Sequence, residues 1–171
     1  MDTQIGIIYG STTGNTERAA ESIAKCLGSQ AVLHNIAEQG LDGITSYSIC
    51  IFGVPTWDFG ELQEDWEDLW EEFVTLDLHG KPCALFGLGD QVGYGEWFLD
   101  AMGLLHDVLQ SSGAKIYGRW PVAGYKFEAS KALSPDGQFF VGLALDDDCQ
   151  FAETEERINL WVDGLKPLFE F

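Results

Sequence analysis

Four hydroxyl-bearing residues, Ser11, Thr12, Thr13 and Thr16, are interleaved with Gly10, Gly14 and Asn15 directly after the apolar run Ile5–Tyr9. Hydroxyls and backbone N–H groups gathered where a strand gives way to a helix are donors without a competing charge, and they suit an anion seated on the helix N-terminus. The kind of anion is narrowed by what the loop lacks. A nucleoside-triphosphate loop places Lys after its second glycine, and a dinucleotide loop reads G-x-G-x-x-G. Neither pattern is present here. The loop therefore suits a single terminal phosphate held by neutral donors, as in a mononucleotide, with an ordinary helix cap as the competing reading.

Two further stretches carry unusual chemistry. Pro55-Thr-Trp57-Asp-Phe-Gly60-Glu-Leu and Gly87-Leu-Gly89-Asp-Gln-Val-Gly93-Tyr94-Gly each place one large aromatic among small and polar residues. Trp57 and Tyr94 on facing loops can hold a flat heteroaromatic ring between them, because stacked rings gain dispersion and exclude water. Gly60 and Gly89 let backbone amides and carbonyls come close to a ring edge. Read without a ligand, Trp57 and Tyr94 are packing residues, and Asp90 and Asp146 are turn residues.

These three loops need a scaffold that brings them to one end. Short apolar runs alternate with helical periodicity along the whole chain, the pattern of an α/β domain with a parallel sheet. The expected strands are Ile5–Tyr9, 31–34, 48–54, 84–88 and a last strand split into 115–117 and 140–144. Helical stripes fall between them: Ala20, Ile23, Ala24 and Leu27; Trp66, Leu69, Trp70 and Phe73; Met102, Leu105, Val108 and Leu109; and Ile158, Trp161, Val162, Leu165 and Phe169. Residues 118–139 interrupt the last strand with polar and aromatic residues and read as an insertion. In open sheets of this kind, ligands bind beyond the carboxyl ends of the strands, where all three loops would lie.

Composition bounds the rest. With 171 residues, 46% of them hydrophobic, one domain spanning 1–171 with a full core is expected. The formal net charge of −19 argues against nucleic-acid or anionic-membrane binding and favours a basic partner. Eight carboxylates (Asp58, Glu61, Glu64, Asp65, Glu67, Asp68, Glu71 and Glu72) fall between positions 58 and 72 with no Lys or Arg, as a solvated face or as a steering field. Cys26, Cys50, Cys83 and Cys149 lack C-x-x-C spacing and read as small buried hydrophobes, with no disulfide framework, metal or iron–sulfur site expected. His34, His79 and His106 are expected on loops or at the surface. No apolar run approaches the roughly 20 residues of a bilayer span. The start Met1-Asp-Thr-Gln lacks a basic stretch, so a cytoplasmic location is expected.

Four ordered motifs carry a resemblance: Gly-Ser-Thr-Thr-Gly-Asn-Thr-Glu at 10–17, Pro-Thr-Trp-Asp-Phe-Gly-Glu-Leu-Gln-Glu-Asp-Trp at 55–66, Gly-Leu-Gly-Asp-Gln-Val-Gly-Tyr at 87–94 and Val-Gly-Leu-Ala-Leu-Asp-Asp-Asp at 141–148. Over essentially its whole length the chain resembles the long-chain flavodoxins, and among them the second bacterial type. The resemblance implies a flavodoxin-like doubly wound, three-layer fold with a five-stranded parallel sheet of order 2-1-3-4-5, the insertion being the extra loop of long-chain members. It implies one non-covalent FMN, with Ser11, Thr12, Thr13, Gly14, Asn15 and Thr16 on the phosphate, and Trp57 and Tyr94 on the ring faces. Thr56, Asp58, Phe59 and Gly60 would follow the ring edge, while Gly89, Asp90, Gln91 and Gly95 would offer backbone contacts. Pro55 and Leu88 flank these contacts, and Asp146 matches the position that approaches the ribityl chain.

The resemblance further implies a monomeric one-electron carrier, not an enzyme, fed by a basic NAD(P)H-dependent flavodoxin/ferredoxin-NADP reductase and serving low-potential acceptor enzymes. In the family, the peptide matching the Asp58-Phe59-Gly60 turn flips to offer a carbonyl to the ring, a move that Asp at position 58 would make more reluctantly than Gly. Two rivals share the topology. An FMN-dependent NAD(P)H:quinone oxidoreductase would need basic residues near the loops for a nicotinamide phosphate, and the motifs at 10–17, 55–66 and 87–94 contain none. A receiver domain would need an acidic cluster after the first strand, where Gly10 and Ser11 stand, and a phosphorylatable Asp after the third, where Pro55 and Thr56 stand.

Overall fold

Every residue from Ile5 to Tyr9 is buried, as expected of a strand covered on both faces. In the computed structural model, which describes residues 3–169, this strand, β1 (Ile5–Tyr9), lies between β2 (Ala31–Asn35) and β3 (Ile49–Trp57), parallel to both. A short arm, β4 (Glu61–Leu62), folds back antiparallel on the end of β3. On the other side of β3 runs β5 (Pro82–Leu88), again parallel. The last position is filled twice. First β6 (Lys115–Tyr117) pairs with Pro82, Cys83 and Ala84; then the chain leaves the sheet, where β7 (Trp120–Pro121) and β8 (Phe139–Phe140) pair antiparallel with each other. It returns as β9 (Leu143–Leu145) beside Phe86, Gly87 and Leu88. The principal positions thus follow the order 2-1-3-4-5, with the fifth shared by two segments.

Successive strand residues point to opposite faces, and both faces are covered. On one, Ile5, Ile7, Ile49, Ile51 and Phe86 pack against α1 (Asn15–Leu27) through Ala19, Ala20 and Ile23. After a short α2 (Ile36–Gln39), the acidic segment forms α3 (Glu64–Asp68) and α4 (Trp70–Phe73), and α5 (Asp100–Ser112) follows β5. Trp66, Phe73, Met102, Leu105 and Leu109 from these elements cover Ile8, Phe52, Val54 and Leu85 on the second face. The last helix, α6 (Thr154–Leu165), completes the first face with Ile158, Trp161, Val162 and Leu165.

Several expectations are corrected. The stripe from Trp66 to Phe73 is not one helix but two, broken at Leu69 (φ −102°, ψ 4°). β3 extends to Trp57, beyond the expected end at 54, because β4 supplies ladder partners: Thr56 faces Leu62 and Trp57 faces Glu61. Phe140, assigned to the last strand, instead pairs with Trp120, since its ring is buried against Phe98, Tyr125 and Phe127 beneath the insertion. The final stripe outruns its helix: α6 stops at Leu165, and Phe169 reaches the core from a turn.

His34 is buried on β2 rather than exposed. Its Nε2 donates to the Gly40 carbonyl at 2.8 Å, which leaves Nδ1 to accept from the Tyr47 hydroxyl at 3.0 Å. Of the cysteines, Cys50 and Cys83 are buried, Cys26 is half-buried and Cys149 is exposed. The exposed seat of Cys149 follows from its place in an acidic turn beyond β9. No helix among the described residues is long and apolar enough to cross a membrane.

Candidate functional site

β1 ends at Tyr9 and α1 begins at Asn15, so the hydroxyl loop sits over the start of a helix. The first helical bond runs from Arg18 N–H to the Gly14 carbonyl at 3.0 Å, which leaves the N–H groups of Asn15 and Thr16 without an acceptor inside the helix. Ser11 Oγ accepts from Gly14 N–H at 3.2 Å and from Glu17 N–H at 3.3 Å. With its lone pairs engaged, the hydroxyl proton is what Ser11 has left to offer. Thr12 Oγ1 likewise accepts, at 2.9 Å, from Gln63 Nε2. The helix-cap reading and the anion reading are therefore compatible: lone pairs face the protein, and protons are left for a ligand.

The second loop is a hairpin turn between β3 and β4. Asp58 (φ 45°) and Gly60 (φ 87°) both lie in the left-handed region, which is tolerated by Asp and Asn better than by other side chains, at about 1 kcal/mol. Gly60 is required for a second reason: a Cβ there would come 2.7 Å from Asp100 Oδ2. Asp100 opens α5 after Leu99, itself left-handed at φ 60°. Its Oδ1 accepts from Lys131 N–H at 2.7 Å, and Ala101 N–H donates to Thr56 Oγ1 at 3.1 Å. Burial pushes the Asp100 carboxyl up, with the Lys131 N–H acting the other way. The turn thus rests on the start of α5. Phe59, expected along a ring edge, points outward, 66% exposed, with its ring edge-on to Trp97 at 4.9 Å.

In the third loop, Asp90 Oδ1 accepts from the N–H groups of Val92 at 3.0 Å and Gly93 at 2.7 Å, closing a tight turn that leaves Tyr94 exposed. Asp146 is fully buried. Its Oδ2 accepts from Gln91 N–H and Nε2 at 2.9 and 2.8 Å, and its Oδ1 from Asp148 and Cys149 N–H at 3.1 and 2.9 Å. It ties two loops together. Asp90, Asp146 and Cys149 converge within 4.8 Å, but both Asp146 oxygens already hold N–H donors, so the trio offers a cation little. Burial and the neighbouring Asp90, Asp146 and Asp147 push the Asp148 carboxyl up. Partial desolvation by the surrounding turn and the hydrogen bond to Asp90 Oδ1 push the exposed Cys149 thiol up to about 11.

A cleft of about 460 Å³ opens between the loops. Its wall holds Ser11, Thr12, Thr13, Asn15 and Thr16 from the first, Pro55, Thr56, Trp57 and Asp58 from the second, and Leu88, Gly89, Asp90 and Tyr94 from the third. The wall does not include Gly14, Phe59, Gly60, Gln91, Gly95 or Asp146. Gln91 and Asp146 lie behind it as buried braces, Gly60 beneath the turn on Asp100, and Gly95 under the insertion, accepting from Glu128 and Ala129 N–H. Asp147 and Asp148 line the cleft and had not been singled out. The signal for them was the Asp-Asp-Asp run directly after an apolar strand. Gln63, also missed, sits behind Thr12.

Residues 7–161 match the flavodoxin family. Flavodoxin 2 of Salmonella typhi is 51% identical over 162 residues, covering 94% of each chain. The flavodoxin of Synechocystis sp. is 46% identical over 170 residues, covering 98% of this chain and 99% of its own. Among solved structures, Fusobacterium nucleatum flavodoxin bound to flavin mononucleotide superposes with a TM-score of 0.91 at 29% identity, over 97% of this chain and 98% of that one. A match that runs through all three cleft loops and both halves of the split strand leaves one assignment: the chain belongs to the flavodoxin family.

Proposed function

We infer that the cleft holds one non-covalent FMN and that the protein carries single electrons between a reductase and acceptor enzymes. The observation that carries this reading is a hydroxyl-rich loop, with two acceptor positions of Ser11 and one of Thr12 already engaged by the protein, opening on the same cleft as Trp57 and Tyr94. A terminal phosphate is an acceptor, a flat ring seeks aromatic faces, and the cleft volume falls within the roughly 300–1,000 Å³ usual for cofactor sites. FMN supplies the redox chemistry when bound, exchanging electrons singly.

The chain's own residues set its terms. Asp58, Asp90, Asp147 and Asp148 line the cleft and surround any added electron with negative charge. One carboxylate at ~12 Å in an effective dielectric of ~20 raises a reduced, anionic ligand by about 1.4 kcal/mol, or about 60 mV for a one-electron couple. Several together, partly screened, depress the lower potential by about 100–300 mV. Of the eight carboxylates between 58 and 72, all but Asp65 are exposed and free to steer a basic partner, which supports an NAD(P)H-dependent flavodoxin/ferredoxin-NADP reductase upstream.

The test is a reductive titration of the isolated holoprotein followed by visible absorbance: a yellow protein that takes up electrons in two separated steps is expected. A colourless protein, or uptake in one two-electron step, overturns the reading. Sustained turnover with NAD(P)H and a quinone alone would instead favour the quinone-reductase alternative.

Two substitutions separate binding from tuning. Thr13 lines the cleft in the hydroxyl loop, so Thr13→Val is expected to weaken FMN by about tenfold, the value of one hydrogen bond to a charged group, with potentials unmoved. Equal affinity in parent and variant, read by quenching of flavin fluorescence, removes the phosphate assignment. Asp58 already occupies the left-handed region at φ 45°. Asp58→Gly relieves that strain and widens the turn's conformational choice, and is expected to shift the first one-electron potential by some tens of millivolts, on the order of 1 kcal/mol. An unchanged first potential in a redox titration would dismiss any part for this turn in tuning.

A further inference from the structure

Behind the hydroxyl loop stands a polar side chain that does not reach the cleft. Gln63 is 1% exposed, and its amide spans the gap between the acidic segment and the loop. Its NH₂ group has two protons, and both are placed: one toward Thr12 Oγ1 at 2.9 Å, the other toward Asp65 Oδ2 at 2.6 Å. Its Oε1 is buried without a hydrogen-bond partner among the described residues. A buried carbonyl left idle is unfavourable, so this amide is oriented by what its nitrogen does.

Asp65 explains why the amide does not turn over. Rotated by half a turn, Gln63 would present its oxygen to the Asp65 carboxylate, acceptor against acceptor. Gly10 provides the room, since a Cβ there would strike Gln63 Oε1. On the loop side, a hydroxyl that accepts from an amide has its own proton free to point away from that amide, and accepting a bond polarises it as a donor. Thr12 lines the cleft.

We propose that Gln63 is a positioning residue for the anion loop: held by Asp65, it engages the lone pair of Thr12 so that the Thr12 hydroxyl proton is directed at the terminal phosphate of FMN. This rests on the FMN reading above and assigns the orientation of the loop to a residue outside it.

The test compares FMN with riboflavin, which lacks only the phosphate, by fluorescence titration of the apoprotein. Gln63→Met is expected to reduce the preference for FMN over riboflavin by about tenfold while leaving riboflavin affinity within about twofold. In chains already carrying Thr12→Val, the same change is expected to alter the preference by less than about twofold, because the path through Thr12 is gone. Equal weakening of both ligands, or an undiminished effect in the Thr12→Val background, overturns the proposal by showing Gln63 to be structural. Asp65→Ala, at a half-buried position that leaves the fold's core untouched, covers the case in which Gln63→Met does not fold. Loss of a nearby negative charge alone would strengthen phosphate binding, whereas release of the Gln63 amide weakens it. A drop in FMN preference supports the proposal, and an unchanged or raised preference sinks it. A parent protein with no affinity for either ligand would refute the FMN reading itself, a result distinct from all of these.

Discussion

Asp146→Ala is expected to lower folding stability by about 3 kcal/mol, because it removes a fully buried acceptor from four donors at once: Gln91 N–H, Gln91 Nε2, Asp148 N–H and Cys149 N–H. Water cannot easily replace a fully buried carboxylate, and the third loop would lose its buried tie to the turn that carries Asp147 and Asp148, keeping the bonds from Gln91 to Gln150 and from Cys149 to Asp90. Flavin affinity should fall with it, for FMN and riboflavin alike, since the ring side of the cleft loosens and the phosphate side does not. Urea denaturation of the apoprotein measures the first effect. Asp146→Asn keeps one acceptor oxygen and turns an NH₂ toward the other donors, so it should fall between parent and alanine. A parent-like denaturation midpoint for the alanine variant would mean that the two loops stand without this residue.

Trp57→Ala is expected to weaken flavin binding by about 100-fold, toward the upper end of the roughly 1–3 kcal/mol that one stacked aromatic contributes per ring. Trp57 sits at the end of β3, its backbone fixed by the ladder to Glu61, so its position is set before a ligand arrives. Tyr94 follows a turn and is 44% exposed, and its loss should matter less. The stacking term belongs to the ring alone. FMN and riboflavin should therefore suffer equally, the opposite of the pattern expected for Thr13→Val. The same titrations check it, and a selective loss of FMN would show that Trp57 acts through the phosphate loop.

The sheet was legible because strands buried on both faces leave short, β-branched apolar runs such as Ile-Cys-Ile-Phe-Gly-Val at 49–54, too short for a helix of their own. The hydroxyl loop and the two aromatic loops were legible because their chemistry is local. What escaped depends on partners distant in sequence. The ladder that carries β3 to Trp57 needs Glu61 and Leu62 to fold back on it, and no periodicity announces that. Asp146 could be placed near the cleft but not behind it, since its role is fixed by Gln91, 55 residues away. Phe140 left the sheet because rings of the insertion offered a better-packed seat. Gln63 is one of many polar residues in an acidic stretch, and its burial arises from contact with Gly10 and Thr12.

The segment between β6 and β9 departs from and rejoins the same lane of the sheet. A detour of that form can be shortened, lengthened or dropped without rethreading any other strand, so the topology places no limit on its size. Its contents are another matter. Ala132 and Phe140 fill the interior beside Phe98, and Lys131 N–H holds the carboxylate on which the 58–60 turn is seated. A chain trimmed to its bare scaffold would keep its strand order and lose the footing of its electron-handling end.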